Sequence, residues 1–586
     1  MKNPISGMKI RNVLYHLLAI AVLSAGGVNM LTAQTPFDRE YGEEASKIRE
    51  EIHLFSDRTV YAVDETIHFI ADHRVEGPLG ENPWSSVLYV ELIASNGQPL
   101  VQGKYHLSGG RAEGSLHIPG ESLTGTYYLK AYTRWMRNRG PGSFNYTALT
   151  IINPFKSEVL EHTDAETVSA TAQETAFREG ILECSTASVS YGAGEEVLLR
   201  VKGASSANLN LLNSCLTVVP EGAVDLSGTL SFQLHGETSD SFRVRFLPDL
   251  GRGVSISGTV VDSAGVPVPY ATLHFSLLGD NPDYFATMCD IHGRFVLNAP
   301  AGEDESQEFF VTPGQDGGDG LEVRIDEEFD SRTVNFPAEP FILAEDEKET
   351  ARLIALNMQL SNAFKPESAS GEAPAEVGIP EGSRVPFYGT RVNRLLIDDY
   401  VRLPNLEEVF INLIPDIQFY RQKGVNRIRI LSDNNSIQVY NPLIMIDHIS
   451  VFDHEALLAL SPEKIERVDL INEIYLKGNV TFGGVLAIHS RKGDMAGIDL
   501  PQGSYFFDYQ SFSPEPVPAE PAPSPGGRVP DSRNTIFWTG SLNPEQEVQE
   551  GISFRAPSRE GTYVVLIRGV LPDGDAYAAS TSFRVE

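Results

Sequence analysis

The chain is poor in cysteine, in basic charge and in the short motifs of common enzyme chemistry, and each shortage removes a class of function. Only three cysteines, Cys184, Cys215 and Cys289, occur in 586 residues. That excludes a disulfide-stapled scaffold, and their spacing fits no zinc site. Within an oxidising compartment a Cys184–Cys215 bridge and three isolated core thiols both remain open. Lys and Arg total 46 against 79 Asp and Glu, a formal net charge of −33. Such a chain offers no basic surface to neutralise phosphates, so nucleic acid is not expected as a partner, and anionic lipid is disfavoured. There is no His-Glu-x-x-His helix, no phosphate-cradling Gly-x-x-x-x-Gly-Lys loop and no Gly-x-Ser-x-Gly elbow. No cofactor is implied. Long apolar runs are missing too, apart from Val13–Leu23 near the start.

That one run reads as an address. Lys2, Lys9 and Arg11 precede it, and Leu31-Thr32-Ala33-Gln34 offers a small-residue cleavage site. Residues 1–34 are therefore expected to be a Sec-type signal peptide, with the mature chain in the periplasm, associated with the outer membrane but not itself transmembrane. No Cys follows the apolar run, so a lipid anchor is not expected. Hydrophobic content of 41% suits several ordinary cores.

Short strands dominate the remainder. Ile52, Leu54, Ile67 and Phe69 alternate with polar residues around a turn at Val63–Glu65, and a second pair turns at Asn96-Gly97. Tyr127, Leu129 and Ala131 alternate against Tyr128 and Lys130. Such spacing predicts a β-sandwich over residues 35–155. Its motif Asp57-Arg58-x-x-Tyr61-x-x-x-Glu65-x-Ile67-x-Phe69, with the later Gly-x-Tyr-Tyr-Leu-x-Ala-Tyr-Thr, resembles the second macroglobulin-like domain of the alpha-2-macroglobulin superfamily. The Cys-Gly-Glu-Gln thioester of that superfamily is absent. Residues 156–179 read as a linker and 180–250 as a second sandwich, with strands near Ala187–Tyr191, Glu196–Val201, Ala207–Leu212 and Phe242–Phe246. From Val254, Ser-Ile-Ser-Gly-Thr-Val-Val-Asp-Ser-Ala-Gly and the later Cys289-Asp-Ile-His-Gly-Arg-Phe resemble a carboxypeptidase-regulatory-like sandwich over 254–360. That module carries no zinc site of its own. A second linker spans 361–384.

Residues 385–493 change character. Leu406, Val409, Phe410 and Leu413 mark a helix, Arg427–Leu431 and Leu443–Ile446 read as strands, and Asp453 is placed to cap a helix bearing Leu457 and Leu460. Ser461-Pro462 opens another turn, and Val468–Ile471 and Val485–Ile488 return as strands. The order Pro-Leu-Ile-x-Ile-Asp, Leu-x-x-Leu-Ser-Pro-x-x-Ile-Glu-x-Val and Gly-Gly-Val-x-x-Ile resembles the plug domain of TonB-dependent outer-membrane receptors of Bacteroidota. Two departures stand out. His448 occupies a turn position where such plugs use Gly, and the loop 475–484 lacks their Tyr-Gly-x-x-Gly-Ala pattern. A Pro-rich linker follows over 494–533, then a C-terminal macroglobulin-like β segment over 534–586, small enough to complete a sheet begun elsewhere. These residues hold too few strands for a barrel, so the chain is not expected to transport solute alone.

The expected fold class is mainly β and multi-domain: macroglobulin-like and carboxypeptidase-regulatory-like sandwiches with a small α+β plug-like domain. No catalytic or metal residues are expected. His448 and His454, with Asp447 and Asp453, form a cluster that reads more simply as turn and cap residues. Asp316-Gly-Gly-Asp-Gly reads as a solvated turn rather than a calcium loop. Trp135, between Arg134 and Arg137, fits either ligand stacking or closure of a sandwich edge. The candidate partner-docking loop is Tyr475, Lys477 and Phe482. The expected function is non-enzymatic: docking of the plug-like domain onto an outer-membrane barrel or an envelope assembly protein. An accessory role in TonB-dependent uptake, and a protease inhibitor or hydrolase with an unrecognised site, are the alternatives.

Overall fold

The computed structural model describes residues 42–78, 84–160, 177–203, 213–224, 244–251, 253–279, 282–300, 306–314, 320–334, 341–343, 345–364, 386–389, 391–422, 424–519, 529–542 and 551–586, with 173–174, 230–231, 336 and 523. The signal-peptide residues and the Asp316 turn lie outside this set. The fold is mainly β. One unit, the sandwich unit, comprises 42–252, 329–374 and 512–586; the other, the inserted unit, comprises 253–328 and 375–511.

In the sandwich unit the Asp57 motif builds a corner. Strands β1 (Arg49–Ser56), β2 (Val60–Ala62), β3 (Thr66–Glu76), β4 (Val87–Ala94), β5 (Pro99–His106), β6 (Arg111–His117), β7 (Gly125–Tyr132) and β8 (Asn145–Ile152) form two sheets, β1-β3-β6 and β2-β8-β7-β4-β5. Between β1 and β3 the chain must turn twice while burying its polar backbone. Tyr61 Oη donates to Asp57 Oδ1 at 2.7 Å, and the same oxygen accepts the His68 amide at 2.9 Å. Arg58 reaches both oxygens of Glu65, at 3.0 and 3.2 Å, while Glu65 Oε2 also accepts the Ala62 amide at 2.6 Å. Asp64 adopts left-handed φ of 62° in the turn. The motif's polar residues thus satisfy the corner rather than face solvent.

The same plan is used twice. Leu182–Thr186, Glu196–Gly203 and Ile552–Arg555 make one sheet; Ser190–Tyr191, Ala576–Val585, Gly561–Val570, Asn213–Pro220 and Phe537–Leu542 make the other, in that order. Taken in sequence, these strands reproduce the pairing of β1–β8, including the parallel contact of the short second strand with the last. The corner recurs as well: the Ser188 amide donates to Tyr191 Oη at 2.8 Å and the Gly192 amide to Glu195 Oε2 at 2.7 Å. Residues 180–250 and 534–586, treated separately from sequence, therefore build a single sandwich around a shared core of Leu199, Leu216, Val218, Val565, Ile567 and Tyr577. Where β4 and β5 join through a tight turn at Asn96-Gly97, the second copy is open between Pro220 and Phe537, and the intervening chain is accommodated there.

Other boundaries shift for physical reasons. The Ala207–Leu212 strand lies outside the described residues, and from 244 to 250 the chain forms no strand. The latter stretch instead offers Asp249, whose backbone carbonyl accepts the Ser86 amide and whose carboxylate accepts Tyr89 Oη. The first stretch of the smaller sandwich runs to Ile325 rather than 360: the helix Glu345–Phe364 belongs to the sandwich unit, and Ile354 and Met358, four apart on one face, join the first sandwich's core. The Pro-rich stretch also begins as structure, with the Ser513 amide donating to Lys104 O along the outer edge of β5.

In the inserted unit, Arg294–Pro300, Gly253–Val261 and Glu322–Ile325 form one sheet, and Asp283–Met288, Thr272–Leu277, Ser306–Pro313 and Tyr505–Gln510 the other. The last strand falls inside the expected 494–533 linker; its alternating aromatics place Phe507 stacked on Phe309 at 5.6 Å. Residues 391–498 form an α/β module whose sheet runs Asn393–Leu396, Ile465–Ile471, Val485–Ser490, Leu443–Ile446, Ile449–Ser450. Its helices Leu406–Leu413 and His454–Leu458 are capped by Asn405 and Asp453, and Leu406, Phe410, Ile446, Val468 and Ile488 fill its core.

Candidate functional site

The turn that carries His448 is a two-residue hairpin between Leu443–Ile446 and Ile449–Ser450. The type I′ form of such a turn needs positive φ at both central positions. Asp447 and His448 supply it at 45° and 69°, so the left-handed geometry survives without the expected glycine. Asp447 stabilises it: Oδ1 accepts the Ser490 amide at 2.8 Å, and Oδ2 accepts Ser490 Oγ at 2.6 Å and the Met495 amide at 2.9 Å. Ser276 Oγ closes the other side by donating to the His448 carbonyl at 2.7 Å.

Beside this turn a polar belt crosses the sheet. The His448 and His489 rings lie 5.7 Å apart, edge to face. Tyr388 Oη is 3.0 Å from His489 Nε2 and donates to Asp469 Oδ2 at 2.9 Å. Arg394 meets both oxygens of Asp469, at 2.7 and 3.1 Å. Burial opposes ionisation of Asp469, yet the bonds from Arg394 and Tyr388 hold its carboxyl below the usual range. Burial pushes the His489 imidazole down to about 4, helped by Arg467, and lowers His448 as well. Both rings are neutral near pH 7, and Nδ1 of His448 has no hydrogen-bond partner among the described residues. Ser490 is committed to Asp447, which leaves the belt without an activated nucleophile. Among the described residues no acidic, histidine or cysteine cluster has metal-holding geometry.

His454 stands apart from His448. Its Nδ1 accepts the Ile428 amide at 3.0 Å, and burial lowers its pKa to about 4. It ties a helix to a strand.

The expected docking loop is a hairpin, Tyr475–Lys477 with Val480–Phe482. Its three candidate side chains do not form a free surface. Phe482 is buried in a cluster with Tyr284, Ala286, Met445 and Val485. Lys477 pairs with Asp283 at 3.0 Å and sits over the rings of Phe285 and Phe387. Tyr475 Oη donates to the Phe387 carbonyl at 3.2 Å. The hairpin is seated on the unit's own smaller sandwich, because the loop's aromatics find an apolar strand face there. Trp135 is likewise internal: fully buried, edge-on to Trp84, with Nε1 donating to the Ile48 carbonyl. Cys184 packs toward the second sandwich's core, whereas Cys215 points from the opposite face toward Phe55 and Ile70. No bridge joins them, and all three thiols are free.

Exposure lies elsewhere on the α/β module. The edge strand Asn393–Leu396 runs into Leu396, Tyr400 and Val401, which are 44%, 46% and 81% exposed. Sequence reasoning passed over this stretch, and also over Tyr388, Asp469 and His489. The alternation within Val485–Ser490 was the available signal that His489 shares a face with Ala487.

No protein-family model matches the chain, and no curated protein matches it. Among solved structures it is similar over 92% of its length to Escherichia coli alpha-2-macroglobulin activated by porcine elastase, at 8% identity and a TM-score of 0.20, covering 44% of that chain. Salmonella alpha-2-macroglobulin reacted with methylamine matches over the same share at 10% identity and a TM-score of 0.20, covering 39% of that chain. The likeness is to macroglobulin-type β domains. Dimeric latent PorU from Porphyromonas gingivalis matches 48% of this chain and 33% of its own, at 10% identity and a TM-score of 0.16. The chain spans less than half the length of the alpha-2-macroglobulin chains, and these scores assign neither activity nor partner. No helix among the described residues is long and apolar enough to cross a membrane.

Proposed function

We propose that the chain is a non-enzymatic interaction protein of the cell envelope, exported by its leader, whose plug-like α/β module docks onto an outer-membrane barrel or envelope assembly protein. The carboxypeptidase-regulatory-like sandwich serves as that module's seat, and the macroglobulin-like sandwiches serve as structural beads. One observation carries the reading. Asp447, Asp453 and His454 are committed to the module's own turn, helix cap and helix–strand tie, while Leu396, Tyr400 and Val401 stand in water beside an edge strand. Apolar side chains next to a sheet edge suit partner recognition by strand addition.

The test is photo-crosslinking in intact cells from a benzophenone side chain placed at Val401, with Leu356 on the other unit as control. A discrete adduct with an outer-membrane protein from position 401 is the expected result. Absence of any adduct, or robust hydrolytic turnover by the pure protein, overturns the proposal.

A further inference from the structure

The first sandwich has two very different sheet faces. Leu88, Val90, Leu92 and Leu129 line the interior. On the outer face, directly opposed residues are Tyr89 with Tyr132, Glu91 with Lys130, Tyr89 with Lys104, and Lys130 with Tyr146. The tyrosines of this face are a residue type enriched at recognition surfaces, while Glu91, Lys104 and Lys130 need paired partners wherever the face is covered. The face is nevertheless fully buried: residues 329–334 and Phe336 lie across it, with Phe144 stacked on Tyr132 and Asp249 taking Tyr89 Oη beside them.

The cover is held the way a peptide ligand is held. Phe329 meets Tyr89 edge-on at 5.7 Å, with the Lys104 ammonium 5.6 Å over its ring. Phe336 stacks on Tyr128 at 3.7 Å and takes the edge of Tyr146 at 5.4 Å. Between these anchors the Asp330 amide donates to Tyr132 Oη at 2.7 Å, and the Asp330 carbonyl accepts from Lys130 Nζ. The Asp330 carboxylate faces Arg137 at 3.5 Å and also takes Arg332. Glu91 balances the face by accepting Lys130 at 3.0 Å and Tyr132 Oη at 2.9 Å. Buried ion pairs of this kind add little net stability over apolar packing; here Asp330 meets Arg137 and Lys130 in one register of the segment.

We propose that the outer face of β2-β8-β7-β4-β5 is a peptide-recognition surface which the chain occupies with its own segment Phe329–Phe336. Its external ligand is an extended segment of another protein with aromatic residues seven positions apart and an acidic residue after the first. The tethered segment acts as an intramolecular competitor whose high effective concentration keeps the surface closed until a better-matched segment displaces it. The inference goes beyond docking by the α/β module, and either can fail alone.

Two measurements on the full chain decide it. Native-state hydrogen exchange is expected to show the amides of 329–334 opening at least about 100-fold faster than those of β4 and β7, as a separately opening segment. Exchange only together with β4 and β7 would make the segment ordinary core and end the proposal. Secondly, a fluorescent peptide of residues 327–338 is expected to bind the double variant Phe329→Ala, Phe336→Ala at least tenfold more tightly than it binds the native chain. Adding Lys130→Met should weaken that binding at least tenfold. A double variant whose β4 and β7 amides stay protected yet which ignores the peptide overturns the assignment.

Discussion

Tyr61 and Tyr191 hold equivalent corners: each hydroxyl accepts a backbone N–H from three residues earlier, that of Arg58 at 3.0 Å and that of Ser188 at 2.8 Å. Only the first corner adds a buried ion pair. Glu65→Ala strips Arg58 of its main partner inside the protein and is expected to cost about 3–5 kcal/mol. Glu195 is exposed, so Glu195→Ala removes one ordinary bond, worth about 0.5–1.5 kcal/mol. Denaturant titration of the two variants distinguishes these costs.

The seated hairpin makes a second contrast. Gly478 has φ of 62°, and a Cβ there would lie 2.1 Å from the Ala286 carbonyl oxygen. Gly478→Ala should therefore unseat the hairpin and destabilise the inserted unit by more than about 2 kcal/mol. Lys477→Ala breaks a partly exposed pair and two cation–π contacts and is expected to cost about 1–2 kcal/mol, less than the glycine substitution. Calorimetry on both variants checks the order.

Acid should act selectively on the inserted unit. Burial lowers His274, His454 and His489 to about 4, against about 6.5 in an unfolded chain. Between those values the unfolded state binds more protons, so stability is fullest above pH 6.5 and declines as pH falls toward 4. Each histidine contributes at most about 1.4 kcal/mol per pH unit across that window. Asp72, in the sandwich unit, works in the opposite direction: burial raises it to about 6, so its contribution is greatest at low pH and lost as pH rises through 6. Thermal scans from pH 7 to 4.5 should show the inserted unit's transition moving down first, and His274→Gln should flatten that trend.

Thiol chemistry follows from packing. Burial raises Cys184 to about 11 and Cys289 to about 12, and raises Cys215 too. Iodoacetamide should leave Cys215 and Cys289 unlabelled in the native protein, and label all three after denaturation without reductant. A mass 2 Da below the reduced value would reveal a bridge that the opposed faces of Cys184 and Cys215 do not allow.

The second sandwich should also survive removal of what interrupts it. Its core draws on residues 182–218 and 536–585 alone. Joining residue 220 to 536 through Ser-Asn-Gly-Gln, the turn found between β4 and β5, is expected to yield a cooperatively unfolding domain from residues 178–586. Loss of cooperativity would place part of its stability in the excised chain.

Local pattern made much of this legible. The helix at Leu406, the strand Leu443–Ile446 and the cap at Asp453 follow from apolar spacing and a side-chain oxygen ahead of a helix. What failed was long-range pairing. Tyr505–Gln510 alternates well enough to be a strand, but nothing local says that it completes a sheet begun at Thr272. The second corner was readable too: Tyr191 and Glu195 stand at the spacing of Tyr61 and Glu65, but Ser188 and Ala187 replace the charged pair that made the first conspicuous. The hairpin of Tyr475, Lys477 and Phe482 misled because sequence does not reveal whether an aromatic loop already has a seat.

The opening between Pro220 and Phe537 sets a clock on synthesis. The first four strands of the second sandwich leave the ribosome about 300 residues before the strands that cover them. At roughly 5–20 residues per second they wait on the order of 15–60 s with Leu199, Leu216 and Val218 bare. A chain organised in this way depends on whatever shields half-built sheets while it is being made.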